Sequence, residues 1–500
     1  MKQVESLAYQ QGSETEETLM EYAGKGVAKF VEDFAEKTKF PKEVTLFCGQ
    51  GNNGGDAYTA GYHLLEKGYN VTAYQLGSLD QCSPLCQKNR ERFTDKGGKI
   101  LSLESKDSIT LTKPSLFIDG LIGTGMQGEL KDPLVGIIQK MNAYRMPVFS
   151  IDVPSGVSGE TGDVSNTAVH SHATLFLGLP KLGCILGEGW EYAGRLVGID
   201  LHLPKEAFEE KQQEPILLSP FYLRPLLPPI KKNRHKYEAG LVLGIAGSPG
   251  MSGAAIMASL SSLRGGAGMI TLCHPKGMEG ELSSAPWEIV KKSIADAKGI
   301  LENEKKAKAF FIGPGIGTET QTKKTLKDFL SKTTLPGVID ADALTLIGND
   351  KKMIPKKTVL TPHLGELQTL LGSKKSLTLD APLLKKCQDY VNETTTTLVL
   401  KGSPTFIFHP KMPPIVSPFG DPGMATAGCG DILTGLISAF LAQGLPPQGA
   451  ALLGVYIHGI SGEYAAKKKG SYSLIATDLI EEFPKAFLSL SPKIRGVEHT

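Results

Sequence analysis

Short apolar runs, each followed by a small polar turn and then by a helix-length stretch, recur along this chain. The runs 43–48 (EVTLFC), 70–76 (NVTAYQL), 115–119 (SLFID) and 147–151 (PVFSI) read as short buried strands. Between them lie helix-like segments such as 56–67 (DAYTAGYHLLEK) and 133–143 (PLVGIIQKMNA). Strands alternating with helices argue for a parallel sheet with helices on both faces. An amphipathic helix is predicted over 14–38, with Leu19, Ala23, Val27, Phe30 and Phe34 on one side.

Around 204–236 the pattern fails. PKEAFEEKQQEP is charged and FYLRPLLPPIKKNRHK is rich in proline and basic residues, which marks a linker or domain edge. A second series opens at 240 (GLVLGIAGS) and continues through 268–273, 308–312, 337–340, 358–360 and 397–401. The boundary is therefore expected between 205 and 230, with domains over 1–212 and 213–500. Five hundred residues fit two cores at roughly 100–200 residues per domain. The motifs of the halves differ, so the chain reads as a fusion of unlike α/β domains. With 54 Lys and Arg against 52 Asp and Glu, the net charge of +2 gives no general attraction to nucleic acid or to anionic membranes. No apolar run reaches the length of about 18 residues that a membrane span needs, and residues 1–20 lack a signal-peptide core. The seven cysteines are scattered without zinc-site spacing, so they read as reduced thiols and the expected address is cytoplasmic.

Glycine accounts for 57 residues of 500, above the usual share of about 7%, and the excess gathers in turns at strand ends. The densest turn is GQGNNGGDA at 49–57, after one strand and before a helix. There, backbone N–H groups and a helix N-terminus can face an anion, Asn52 and Asn53 add amide groups, and Asp56 is expected to cap the helix. Two further loops, Asp119-Gly-Leu-Ile-Gly123-Thr124-Gly125 and Asp152-Val-Pro154-Ser155-Gly156, each set a carboxylate at a strand end. Ligands of open parallel sheets bind beyond the carboxyl ends of the strands, so three such loops point to one site. Their oxygens could also hold a hard cation.

In the second half Ala427-Gly428-Cys429-Gly430-Asp431 opens a helix, a geometry suited to phosphate. Asp431 could accept the proton of an attacking hydroxyl, as a kinase base does. Four more polar loops follow strands: GPGIG (313–317), Asp340-Ala-Asp342, Thr361-Pro-His363-Leu-Gly365-Glu366 and Lys401-Gly402-Ser403-Pro404-Thr405. His363 is read as a ligand contact and Lys401 as a partner of nucleotide phosphate, whereas His170 and His172 are read as structural or surface residues.

These motifs carry a resemblance. GQGNNGGDA, DGLIGTG and DVPSG, in this order, resemble the NAD(P)H-hydrate epimerase domain, a Rossmann-like three-layer α/β/α fold. The second half, through AGSPGMSGAAIMA (246–258), RGGAGMITL (264–272) and the C-terminal glycine turn, resembles the ADP- or ATP-dependent NAD(P)H-hydrate dehydratases of ribokinase-like α/β fold. The resemblance implies epimerisation of the R and S hydrates of NADH and NADPH (NADHX and NADPHX) at C6, then removal of water from the S form at the expense of ADP or ATP. The fused arrangement points to ADP. By position, Asn52, Asn53, Gly54, Gly55 and Asp56, with Gly123, Thr124, Gly125, Met126, Gln127, Gly128 and Glu129, would contact the hydrate in the first half. Asp152 would stand at its reacting end, and Asn53, Asp119 and Ser155 would ligate potassium. Asp152 and Asp119 are the candidate acid–base groups there.

In the second half Ala254, Gly317, His363 and Asp431 would touch the hydrate, with Asp431 as base. Lys401 to Thr405, with Gly428 and Gly430, would hold the nucleotide, and magnesium would ride on its phosphates. The resemblance also implies a homo-oligomer. The chain departs from the family at Ala57, commonly Gly, and at Gly120, often Ala; at Asp421 for Asn and Ala427 for Gly; at Cys429 within the turn; and at HKYEAG (235–240), where the family tends to have HKG and a small insert. Ala427 is expected to crowd the phosphate. Two other readings compete: a ribokinase-like kinase with a regulatory N-terminal half, and a non-catalytic scaffold like those of messenger-RNA decapping. The TPHLGE loop opposes the first, and the intact Asn52, Asn53, Asp56 and Asp119 oppose the second.

Overall fold

The computed structural model describes residues 14–111, 113–125, 128–164, 166–203 and 214–491. Two compact units divide the chain, one of residues up to 212 with Leu379–Ala381, the other of the remainder. The boundary expected at 212/213 lies in 204–213, outside the described residues.

The first unit is built on seven parallel strands: β1 (Glu43–Cys48), β2 (Asn70–Leu76), β3 (Lys99–Leu103), β4 (Leu116–Gly120), β5 (Val148–Ile151), β6 (Ala173–Leu177) and β7 (Arg195–Ile199), in the order 3-2-1-4-5-6-7. The order reverses between β1 and β4, and crossovers that leave in opposite directions there open a crevice beyond the strand ends. In register Phe47 faces Asp119 and Cys48 faces Gly120, so the 49–56 and 119–125 loops leave the sheet side by side. Helix Glu16–Thr38 buries Leu19, Ala23, Val27, Val31 and Ala35. Phe30 and Phe34 stand at the edge of that stripe, edge-on to Phe149 at 5.2 and 5.0 Å. Strands β3, β6 and β7 escape the sequence reading; β3 is an edge strand, Lys-Ile-Leu-Ser-Leu, in which only Leu103 is fully buried.

The ligand-loop helix spans Asn52–Glu66, four residues longer at its start than expected. Asp56 therefore does not cap it. Gly51 holds the N-cap position without a side-chain bond, and Asp56 lies buried one turn inside. Early initiation depends on close backbone approach: side chains at Gly49 and Gly54 would overlap the carbonyls of Leu121 and Gly49 respectively. Ala57 sits inside this helix with ordinary backbone angles, so it carries no strain. A Cβ added at Gly120 would stand 2.7 Å from the Ala57 Cβ and 2.7 Å from the Asn53 carbonyl oxygen. The two departures at 57 and 120 thus meet across one contact, which the Asn53 carbonyl crowds as well.

The second unit has ten strands: β8 (Ile216–Leu217), β9 (Leu241–Ile245), β10 (Met269–His274), β11 (Ile289–Ser293), β12 (Ala309–Ile312), β13 (Gly337–Ile339), β14 (Thr358–Leu360), β15 (Thr397–Leu400), β16 (Thr405–Phe408) and β17 (Ile415–Ser417). Their order is 11-10-9-12-13-14-15-16-17-8. Strands 9 to 15 run parallel, with antiparallel pairing at β15–β16–β17. The reversal here falls between β9 and β12, with 246–251 on one side and GPGIG on the other. Helix Cys429–Ala442 is apolar all round and buried through nearly its whole length, as a core helix must be. It nests on helix Ser252–Arg264, where Ser261 Oγ donates to the Ile432 carbonyl at 2.6 Å and Ser262 Oγ to the Gly435 carbonyl at 3.0 Å. Among the described residues no helix is long and apolar enough to cross a membrane.

Gly120→Ala should lower stability by about 1–3 kcal/mol through overpacking. Adding Ala57→Gly should recover at least 0.5 kcal/mol or so of that loss in a urea-unfolding double-mutant cycle. Strict additivity would show that the methyls do not meet.

Candidate active sites

In the first unit the 49–56 loop is tied down on both sides. Gly49 N–H donates to the Gly120 carbonyl at 2.9 Å, Ser83 N–H to the Gln50 carbonyl at 2.8 Å, and Ser83 Oγ to Asn52 Oδ1 at 2.9 Å. Gly54 and Gly55 are buried and serve packing, against the Gly49 backbone and the Met20 side chain. Asn53 is different. Among the described residues its buried Nδ2 has no hydrogen-bond partner, and its side chain lies against Gly123, whose added Cβ would stand 3.5 Å from the Asn53 Cβ.

Asp119 is fully buried at the end of β4. Oδ1 accepts from Leu121 N–H at 3.2 Å and Ser155 Oγ at 2.6 Å, and Oδ2 accepts from Ser150 Oγ at 2.8 Å and Ser155 N–H at 2.9 Å. Burial raises its pKa, opposed by these bonds to Ser155, Ser150 and Leu121. Four donors fill the four acceptor positions of a carboxylate, which makes Asp119 a fixed anion better suited to holding charge than to passing protons. Ser155 Oγ also accepts from Ile122 N–H at 2.9 Å. Ser155 Oγ lies 3.2 Å from the Ile122 carbonyl, so the Asn53 amide, through Gly123, and the Ser155 hydroxyl both border the loop that follows β4.

Asp152, at the end of β5, has φ of +67°, a left-handed conformation that a non-glycine residue adopts only under constraint. Oδ1 accepts from Leu177 N–H at 3.0 Å and from Lys181 Nζ. Lys181 is only 10% exposed and also donates to the Leu177 and Leu179 carbonyls at 3.3 and 3.2 Å. This ammonium is not legible in the sequence, where it lies 29 residues beyond its partner in a Leu-Pro-Lys segment without a motif. Thr124, Gly125, Gly128 and Glu129 are exposed on the loop after β4, with Gly128 at φ +74°. Met126 and Gln127 lie outside the described residues.

In the second unit the glycine turn starts helix Cys429–Ala442. Gly428, at φ +96°, is the N-cap and needs to be glycine. Ala427 is exposed with no left-handed backbone, so its methyl costs nothing in the fold. Asp431 stands in the first helical turn beside a buried ion pair: Lys401 Nζ lies 2.7 Å from Asp340 Oδ1 and 3.6 Å from Glu366 Oε2, and Thr434 Oγ1 donates to Asp340 Oδ2 at 2.7 Å. A side chain at Gly430 would begin 3.4 Å from Lys401 Nζ. Burial, aided by the neighbouring Asp340 charge, raises Asp431 to about 7, with Lys401 opposing. Burial alone would lower Lys401, but the charges of Asp340 and Glu366 more than offset it, so the ammonium persists.

The remaining expected residues line two walls. Ala254 and Gly317 flank the β9/β12 reversal, where Gly317 N–H donates to Asp342 Oδ2 at 2.9 Å. His363 caps helix Leu364–Leu370, its Nδ1 accepting from Gly365 and Glu366 N–H at 3.0 and 3.3 Å, while its ring stays 60% exposed. Gly402 and Ser403 are exposed, the Ser403–Pro404 bond is cis, and Thr405 Oγ1 closes the loop on the Gly402 carbonyl at 2.9 Å. His458 escapes the sequence reading. Its Nε2 lies 2.9 Å from the Cys429 carbonyl, and burial pushes its pKa down to about 4, so a neutral ring donates to the turn. His170 stacks on Tyr192 at 4.4 Å and His172 packs edge-on to Phe34, as structural residues do.

A doubly wound Rossmann-like unit and a ribokinase-like unit with an anion turn define a nucleotide-handling α/β enzyme. Comparison with known proteins narrows this. Residues 16–183 match the YjeF-related protein N-terminus family, and residues 242–485 match the NAD(P)H-hydrate dehydratase family. The bifunctional NAD(P)H-hydrate repair enzyme Nnr of Moorella thermoacetica is 32% identical over 96% of this chain and 94% of its own. That of Coxiella burnetii is 33% identical over 98% of both. A ribokinase-like superfamily protein from Enterococcus faecalis superposes with a TM-score of 0.50 at 28% identity, over 55% of this chain and 96% of that one. The chain belongs to the bifunctional NAD(P)H-hydrate repair enzyme family.

Lys401→Met should leave Asp340, 1% exposed, as an unpaired buried carboxylate and cost about 3–5 kcal/mol of stability. Asp340→Asn in the same chain should restore part of that loss; a double variant as unstable as the sum of the two singles would dismiss the pair as a stabilising unit.

Proposed function

We propose that this chain repairs hydrated nicotinamide cofactors in two steps, interconverting the R and S hydrates in its first unit and dehydrating the S hydrate in its second. The observation that carries the reading is Asp431, a carboxyl raised to about 7 in the first turn of an anion-binding helix beside a charged lysine. A carboxylate poised near neutrality can take the proton of the C6 hydroxyl as its oxygen attacks the terminal phosphorus of ADP or ATP. The phosphorus–oxygen bond to the leaving nucleotide breaks, and its charge falls to Lys401 and the N–H groups of the 428–430 turn. The phosphate ester at C6 then departs with the push of the ring nitrogen, and the adjacent carbon gives up a proton to restore the dihydropyridine. The fused arrangement favours ADP as the donor. Magnesium, carried on the nucleotide phosphates, would supply charge neutralisation.

In the first unit Asp152 and Lys181 would move the proton as hydroxyl leaves C6 and returns on the other face. Asn53 and Ser155 would ligate potassium, with Asp119, whose oxygens are taken up by donors, supplying the balancing charge behind Ser155; the ion would fix the charge near the hydrate's phosphates. Asn52, Asp56 and the 123–129 loop would line the ligand. Seven free, buried cysteines suit a reducing, cytoplasmic setting, and assembly of identical chains would cover the exposed Phe221, Tyr222 and Trp287 rings.

Asp431→Asn should slow dehydration by on the order of 10²–10⁴-fold while epimerisation continues. Because only the ionised form accepts a proton, the wild-type dehydration rate should rise with pH through about 7; a rate that falls across that range would remove Asp431 from the role of base. Asp152→Asn should spare S-hydrate repair and strand the R hydrate, as followed by chromatography of the two epimers.

A further inference from the structure

A cavity of about 140 Å³ opens at the strand reversal of the second unit, between the ends of β9, β10 and β12. Ile245, Ile312, Ile300 and Leu326 give it an apolar floor, and Gln321 and Thr322 stand at its side. Its size is telling. Pockets for whole drug-sized ligands run to about 300–1,000 Å³, so this one holds a single ring system. It adjoins the hydrate wall directly, because Ile316 lines it and Gly317 is the next residue along the chain, while Gly247 lines it from the loop that leads to Ala254.

We infer that this slot takes the adenine base of the hydrated dinucleotide, an inference that rests on the dehydratase reading above. With the hydrated ring at Asp431 and the chain of the ligand passing Gly317, the slot lined by Ile316 would stand next along the crevice to take the other end. The apolar floor would accept the faces of a flat heterocycle. Gln321 carries both a donor and an acceptor on one amide, the pattern that pairs with an adenine edge. Among the described residues the lining holds no lysine or arginine, and Asp296 stands on it beside His274, so the slot suits a neutral base better than the anionic pyrophosphate.

Adenine recognition would let the enzyme select dinucleotide hydrates over mononucleotide ones. The test compares dehydration of S-NADHX with that of the hydrate of reduced nicotinamide mononucleotide, which lacks adenosine, at saturating ADP or ATP. Wild type should favour the dinucleotide by on the order of tenfold or more in kcat/KM, the worth of about 1.4 kcal/mol. Thr322→Trp, which fills the mouth of the slot, should raise KM for NADHX severalfold and collapse that preference. Gln321→Ala, a milder change at an exposed position, should narrow it in the same direction. A preference that survives in both variants would overturn the assignment, as would a wild type that treats the two hydrates alike. Wild type inactive on both hydrates would instead be a failure of the dehydratase reading itself.

Discussion

Parallel strands can be joined only by crossovers, and each crossover must pass over one face of the sheet or the other. Where successive crossovers change face, two loops part and leave a crevice that nothing else in the fold fills. This constraint locates the glycine-rich loops of both units. In the first, the reversal beside β1 brings the 49–56 loop against Asp119 and its following turn. In the second, the reversal beside β9 opposes the 246–251 loop to GPGIG, with Gly247 N–H bound to the Pro314 carbonyl at 2.9 Å. The two chemistries differ, but each occupies the gap that topology leaves.

What fills those gaps is charge held in place at a cost. Asp119, Asp340 and Asp431 are carboxyl groups in largely dry surroundings, and each is treated differently. Asp119 is saturated by hydroxyl and backbone donors, Asp340 is neutralised by Lys401 and Thr434, and Asp431 is left to rise towards neutrality. The difference follows from the surroundings: hydrogen-bond donors favour the charged form of a carboxyl group, whereas burial, and then the neighbouring Asp340 charge, lifts Asp431 towards neutrality. A proton acceptor tuned near neutral pH is the consequence in the second unit. In the first unit Asp152, with its left-handed backbone, is paired with the nearly buried Lys181.

Much of this was legible in the sequence, for definable reasons. Central strands such as 43–48 and 358–360 are covered on both faces and so announce themselves as apolar runs, whereas β3 at the sheet edge does not. Glycine-rich loops and carboxylates at strand ends were visible because tight turns permit few residue types. Helix starts were less so: Asp56 has the chemistry of a cap, but backbone packing of Gly49 and Gly54 lets the helix begin at Asn52. Lys181 and His458 were hidden because their partners, Asp152 and the Cys429 carbonyl, are brought to them by the fold. The departures at 57 and 120 each looked like an isolated anomaly. In three dimensions they are one contact seen from its two sides.

The central claim is that one chain holds two complementary activities. Its most direct test is the recovery of reduced nicotinamide absorbance from a mixed R and S hydrate preparation, with the full-length protein, magnesium, potassium and ADP, and with ATP in parallel. Conversion of both epimers to the last molecule is the predicted result, with a fast phase from the S form and a second phase set by epimerisation. No recovery with either nucleotide would contradict the account, and recovery that stops at the initial S fraction would remove the first unit's share of it.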